Sequence, residues 1–421
     1  LGRIVGNQSF STDAWRIYTY FAPLAVLLYV VDPLGPFFDI AVTYVLKDHL
    51  HATLSEVATF RLFTALPVYA SCLFGLMRDR WSPFGLGDRG YFLLFAPLLV
   101  AVMGWLAAQP LTLARLSGGV VLALVFTRFV VAAYQGRMAR VAQEQAMSGR
   151  LACAWQFTTY GAALLSAAGA GWASTRLTPP SIFLVVAVAS MAIALCALWQ
   201  PRSVYAPADV SLPTQRSDLA SDLTRLRQHR AIYPVVAAML MFQFSPGQGV
   251  VLQYYLVDRL HGSNAMYGVW YAAFLAGFLP MFLVYGYLCA RMRFRRLLWV
   301  SALIAVPQML PLAFIHSAEG AVALAVPIGM MGGLMWVAIH DLAMRACPSG
   351  LQGTLMMLVS GANALGVRGG DLIGARLYAL GGEQGYWWCV IVTTLMYGAI
   401  LGVLRWVPLE VMGPSEGKPR A

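Results

Sequence analysis

Charge is what this sequence has least of. Of its 421 residues only 11% are charged, and 18 are Asp or Glu, where a soluble domain carries about 25% charged residues. That scarcity excludes an ordinary soluble globular chain. Cysteine is sparse as well: six residues, at 72, 153, 196, 289, 347 and 389, with no CxxC and no Cys/His spacing. Neither a disulfide framework nor a metal site is supported. HExxH, Walker-type phosphate loops and GxSxG are missing, so nothing supports enzymatic activity or an ATP-driven pump, and no cofactor is expected. The opening LGRIVGNQSFSTDAWR is polar rather than a cleavable signal. It also lacks Met, so the sequence is expected to begin inside a longer chain.

Apolar length takes the place of charge. The chain is 59% hydrophobic, its mean hydropathy is +0.67, and its apolar runs recur at about 20 residues, the length of a membrane-spanning helix. Long runs alternating with short polar loops fit an all-α polytopic membrane protein and not a β-barrel. Twelve spans are predicted near 18–46, 54–76, 91–107, 113–134, 150–173 and 181–199, then 231–257, 265–289, 297–315, 320–340, 351–376 and 385–407. Two six-helix halves (1–199 and 231–421) follow, joined by a polar linker at 200–230. Within it, PTQRSDLASDLTRLRQHR spaces Leu219, Leu223 and Leu226 for a short amphipathic helix at the membrane surface or between the halves.

The net charge of +11 is a signal of topology. Of the 29 Lys and Arg, 21 fall on the side of the two termini, while the opposite loops hold only Lys47, Arg115, Arg176 and Arg259. Both termini are therefore expected in the cytoplasm, in a plasma or inner membrane. No basic domain lies outside the membrane, so the partners expected are lipids and a small solute and not nucleic acid. An internal repeat supports the two halves: LFGLMRDR (73–80) follows span two, VYGYLCAR (284–291) follows span eight, and Gly75 and Gly286 stand 211 residues apart.

Twelve spans in two parallel halves resemble the major facilitator superfamily. GLMRDR looks like its G-x-x-x-D-R signature between spans two and three. The resemblance implies a gating role for Gly75, Asp79 and Arg80, and for Gly286 and Arg291 in the repeat. GLMRDRWSPFGLGDRGYFLL (75–94), MFQFSPGQGVVLQYYLVDRLHG (241–262) and RACPSGLQGTLMMLVSGANALG (345–366) are further similar to segments of the folate–biopterin transporter family. Two departures stand against that narrower likeness. Arg128 and YQGRMARVAQEQ lie where acidic residues are usual at the end of span four, and WQFTTYG (155–161) is neutral where a basic residue is common.

Ionisable residues within the spans are the functional candidates, because a charge at mid-bilayer is unfavourable by roughly 2.5–3.5 kcal/mol unless it finds a partner or a water-filled cavity. VVDPLGPFFDI (30–40) sets Asp32 and Asp39 seven residues apart around Pro33, Gly35 and Pro36, which predicts a break in span one. Asp32, flanked by apolar residues, is the better proton carrier; Asp39 lies nearer the outer rim. Arg61 and Arg128 either grip an anionic solute with a bidentate fork or neutralise these aspartates. Arg61 suits a pair with Asp39. For Arg128 both roles stay open, as does snorkelling toward the cytoplasm. In span eleven Arg368 and Asp371, three apart, suit a local pair. Gln243, Gln248, Gln253, Tyr254, Trp155 and Tyr160 are uncharged cavity candidates.

The small-residue end of span five, SAAGAGWAS, lacks the Gly-Pro element of many drug–proton antiporters. The function expected is secondary active transport of a small, anionic organic solute, pterin- or folate-like as a first class, coupled to protons. The alternatives are a transporter-shaped scaffold that binds another membrane protein, or a permease for a solute such as a muropeptide or siderophore.

Overall fold

Proline and glycine decide where the first span stops. The computed structural model describes residues 12–205 and 219–413, so the expected polar N-terminus and residues 206–218 of the linker lie outside the described residues. Helix α1 (Thr12–Val31) ends at Asp32, and Pro33 has no N–H to continue it. A tight turn follows, in which the Gly35 N–H donates to the Asp32 carbonyl at 2.8 Å and the Leu34 N–H to the Asp32 side chain at 3.1 Å. Only glycine fits at 35, since a Cβ would sit 2.5 Å from the Tyr29 carbonyl oxygen. Pro36 then opens α2 (Pro36–Tyr44), which leads into a wide turn at Val45–His49.

Span two is segmented into α3 (Leu54–Thr64), α4 (Leu66–Tyr69) and α5 (Ser71–Arg80). Spans three to six are α6 (Asp88–Ala108), α7 (Leu113–Glu144), α8 (Ser148–Arg176) and α9 (Pro179–Cys196). In the linker, α10 covers Leu219–Gln228. Span seven repeats the break of span one: α11 (Ile232–Gln243) stops, Gly249 takes a φ of +62°, and α12 (Val250–Tyr254) runs into a second wide turn at Tyr255–Arg259. His51 and His261 follow the two wide turns with φ of 50° and 53°. The remaining spans are α13 (Asn264–Cys289), α14 (Phe294–Ala305), α15 (Ala318–Ala346), α16 (Gln352–Leu380) and α17 (Gly385–Leu404). The fold is all-α, in two pseudo-symmetric six-helix halves.

Among the described residues nine helices are long and apolar enough to cross a membrane. The spans outside that set are α8, the broken α11–α12 and α16. Two of these pack across the boundary between halves, α8 on α13 and α16 on α5. The α16 glycines at 353, 366, 370 and 374 lie against neighbouring segments, while Arg368 of the same helix is 59% exposed. Helices α7 and α15 outrun the predicted ends near 134 and 340. Their added turns are polar yet buried, Arg137 (4% exposed) against Asp88 and Tyr205, and Asp341 (0%) against Tyr285 and Arg345.

Candidate functional site

The GLMRDR segment sits where α5 meets α16, at the end of the molecule that carries the linker. A Cβ on Gly75 would lie 2.4 Å from the Gly353 carbonyl oxygen, so the absence of a side chain lets the two backbones touch. Asp79, its side chain 1% exposed, accepts hydrogen bonds from the N–H groups of Gly353 (3.0 Å) and Thr354 (2.6 Å) and from the Thr354 hydroxyl (2.7 Å). These donors are the first N–H groups of α16, which have no partner within their own helix and favour a negative charge. Arg78 neutralises Asp79 at 2.7 Å and Asp88 at 2.6 Å, and Arg137 reaches Asp88 at 3.1 Å. Gln143 adds a further bridge, donating to the Met344 and Cys347 carbonyls at 2.9 and 2.8 Å.

Arg80 turns away from this lock to Asp222 of α10 at 3.5 Å, while Arg225 of the same helix donates to the Ser349 carbonyl at 3.1 Å. The linker helix therefore lies against both halves. In the repeat, Gly286 admits the Cys153 thiol across the boundary between halves, a built Cβ lying 2.9 Å from its sulfur. Arg291 stacks on Tyr287, 3.7 Å from the ring centroid. It makes no described contact with the opposite half. The repeat supplies close packing without a carboxylate: 211 residues after Asp79 stands Ala290.

A cavity in two lobes opens beyond this closed end. The lobe of the N-terminal half has a volume of about 370 Å³ and is walled by Asp32, Arg128, Gln135, Trp155, Gln156 and His340, among others. The other lobe, about 360 Å³, is walled by Gln248, Gln253, Tyr267, Gln308, Asp371 and Tyr397, among others. Tyr160, Gln243, Tyr271, Leu275 and Trp336 line both.

Arg128, 7% exposed, forms an ion pair with Asp32 through one arm of its guanidinium, while its buried Nε has no hydrogen-bond partner. The pair brings the span-one break to span four and excludes the snorkelling reading. Arg61 pairs with Asp39 at 3.0 Å and with the Thr43 hydroxyl at 3.1 Å, outside the cavity wall. Arg368 is 59% exposed and stands 3.7 Å from Asp371, so only Asp371 of that couple lines the cavity.

Gln243 donates to Asn363 and thereby ties span seven to span eleven. Tyr254 is corrected: it is 57% exposed and lies outside the wall, because the short α12 turns it away. Its neighbour Tyr255 is already stacked on Tyr386, with centroids 3.9 Å apart.

The structure adds residues that the sequence reading missed. His340 sits between two indoles, 5.1 Å from the Trp155 ring and 4.6 Å from Trp336. It is held by a hydrogen bond from Nδ1 to the Trp336 carbonyl at 2.8 Å. The Trp336 indole N–H donates to Gln156 at 3.0 Å, and the Ser360 hydroxyl to Gln135 at 3.2 Å, both across the two halves. A polar residue such as His340 near the end of an apolar run is the available signal, and it coincides with the predicted edge of span ten.

The profile of the Major Facilitator Superfamily matches residues 25–370. No curated protein sequence gives a significant match. Among solved structures the chain is similar to the E. coli fucose:proton symporter FucP, with TM-score 0.70, 14% identity and coverage of 93% of this chain and 98% of that one. A bacterial homologue of the iron transporter ferroportin in an outward-facing state gives TM-score 0.66 and 16% identity, covering 93% of this chain and 99% of the other. The human organic anion transporter MFSD10 gives 0.61 and 16%, covering 94% and 99%.

Proposed function

The chain belongs to the major facilitator superfamily, and from that premise we propose that it is a secondary active transporter of a small organic solute bearing an anionic group, coupled to protons through Asp32. The observation that carries this reading is the Asp32–Arg128 pair at a break in span one, in the wall of a central cavity. Arg128 has one guanidinium fork for two claimants. While Asp32 is ionised it holds one arm of that fork; a proton on Asp32 releases the arm, so that the whole fork can grip the solute's carboxylate or phosphate. Proton and solute are thereby bound together and carried in the same direction.

The charge distribution supports a cytoplasmic position for both termini. The Asp79 lock then closes the cytoplasmic end, and the cavity faces outward. Alternating access consists of releasing that lock as the outer ends of the halves approach. A pterin- or folate-like conjugate is the first class to try, supported by the indole and imidazole rings of Trp155, Trp336 and His340, which suit a planar ring. The test is uptake into proteoliposomes under an imposed pH gradient. Wild type is expected to concentrate solute when the outside is acidic, and Asp32→Asn to equilibrate it without response to the gradient. Normal proton-driven accumulation by Asp32→Asn would defeat the assignment.

A further inference from the structure

The two lobes of the cavity present unlike chemistry to a solute. In the N-terminal lobe, the buried Arg128 offers an N–H that nothing in the protein accepts. In the C-terminal lobe the need is reversed. Gln308 is 2% exposed and its Oε1, seated against Gly332, has no donor. A Cβ on Gly332 would lie 2.5 Å from that oxygen, so the glycine makes room for the amide to point where it does. Ser245, 8% exposed, turns its hydroxyl toward that of Tyr397, to which it can donate, and its oxygen accepts from no described donor. Asp371 adds a carboxylate at the wall, and no Arg, Lys or His is among the residues that line this lobe. Asp371 accepts the Val250 N–H at the start of α12, and Arg368, 59% exposed and 3.7 Å away, leaves its charge incompletely neutralised.

Unpaired buried acceptors are unfavourable until a donor arrives. The rings of Tyr267, Tyr271, Phe274 and Phe278 line the same lobe and offer π faces to a cationic or N–H-bearing group.

We infer that the transported solute is two-ended: an anionic group reaches Arg128 in one lobe, and an amino group is taken by Asp371, Gln308 and Ser245 in the other. This rests on the transport reading and adds to it a requirement for an amino-bearing organic acid. The requirement comes from the second lobe and is independent of Asp32. Tyr160, Tyr271 and Trp336, which line both lobes, would flank the body of such a molecule.

The test uses purified full-length protein in nanodiscs and a defined equimolar mixture. The mixture contains p-aminobenzoylglutamate, 4-(aminomethyl)benzoate and 5-aminopentanoate, the counterpart of each with hydrogen in place of the amino group, and indole-3-propionate as a plain anion. Retained compounds are quantified by mass spectrometry after gel filtration. That replacement removes the amino donor and leaves the anionic end intact. Wild type is expected to retain at least one amino-bearing acid over its amino-free form by about tenfold or more. Asp371→Asn with Gln308→Leu is expected to erase that preference while indole-3-propionate, held by Arg128 alone, is retained as by wild type, which also shows that the variant is folded. Equal retention of amino-bearing and amino-free forms, retention of none of the amino-bearing acids, or a preference that survives the double variant would each overturn the inference. The transport reading fails separately, through unaltered proton coupling in Asp32→Asn.

Discussion

The two halves break their first spans at equivalent places and use the breaks differently. Asp32 and Gln243 stand 211 residues apart, the same spacing as Gly75 and Gly286. Each stands at the end of a helix, before a break that contains proline and glycine. Asp32 ends in an ion pair with Arg128, Gln243 in an amide hydrogen bond with Asn363. One connection changes with protonation; the other is neutral at any physiological pH. The closed end repeats the contrast, with Asp79 capping α16 in one repeat and Ala290 in the other. Equivalent backbone geometry in both halves thus carries charge in the N-terminal half and hydrogen bonding without charge at the matching positions of the C-terminal half. On the proposed coupling the pH-dependent step belongs to Asp32, and Gln243, its counterpart, has no proton to exchange.

That contrast can be broken at five positions. The largest effect is expected from Gly75→Val, whose side chain meets the Gly353 backbone at 2.4 Å. Backbone cannot rotate away, so the closed end cannot form and uptake is expected to fall about a hundredfold. Gly286→Val meets only the Cys153 thiol at 2.9 Å, a side chain that can turn, and about a tenfold loss is expected. Parallel uptake assays on the two variants check the order.

Next comes Asp79→Ala, which leaves Arg78 and two helix N–H groups without their buried acceptor. The closed form is expected to lose roughly 3 kcal/mol. Spin-label distances between α5 and α16 read this as a shift toward separation. Gln243→Asp introduces a second acid with no arginine described beside it. It is expected to weaken solute binding several-fold without creating a second pH-dependent step, as titration calorimetry at two pH values would register. The smallest effect belongs to Arg80→Gln. Its partner contact is 3.5 Å long and the arginine is 31% exposed, so less than about 1 kcal/mol of stability is expected to be lost in thermal unfolding.

Much of the architecture was legible in the sequence because apolar length and the breakers Pro33, Gly35 and Pro36 act locally. The Asp39–Arg61 pair was legible for the same reason, since neighbouring spans bring those levels together. Arg128 was ambiguous because its partner lies 96 residues away, and nothing in its own segment says which side of the helix faces the broken span. A second internal repeat was also missed: Asp48, Leu50 and His51 recur as Asp258, Leu260 and His261. Its meaning rests on backbone conformation, the wide turns and the positive φ at both histidines, and three matching letters carry little of that. His340 and Gln308 escaped because their neighbours in space come from other helices. The unfilled acceptors of the second lobe exist only once the helices are packed.

The claim that one arginine is shared between Asp32 and the solute is tested most directly by the affinity of a retained anionic solute as a function of pH. If protonated Asp32 releases Arg128, binding tightens as pH falls in the wild type. Asp32→Asn, permanently neutral at this position, then binds at every pH with the tight affinity that the wild type reaches only in acid. A pH-dependent affinity that persists in Asp32→Asn, or a wild-type affinity that does not change with pH, would contradict the account.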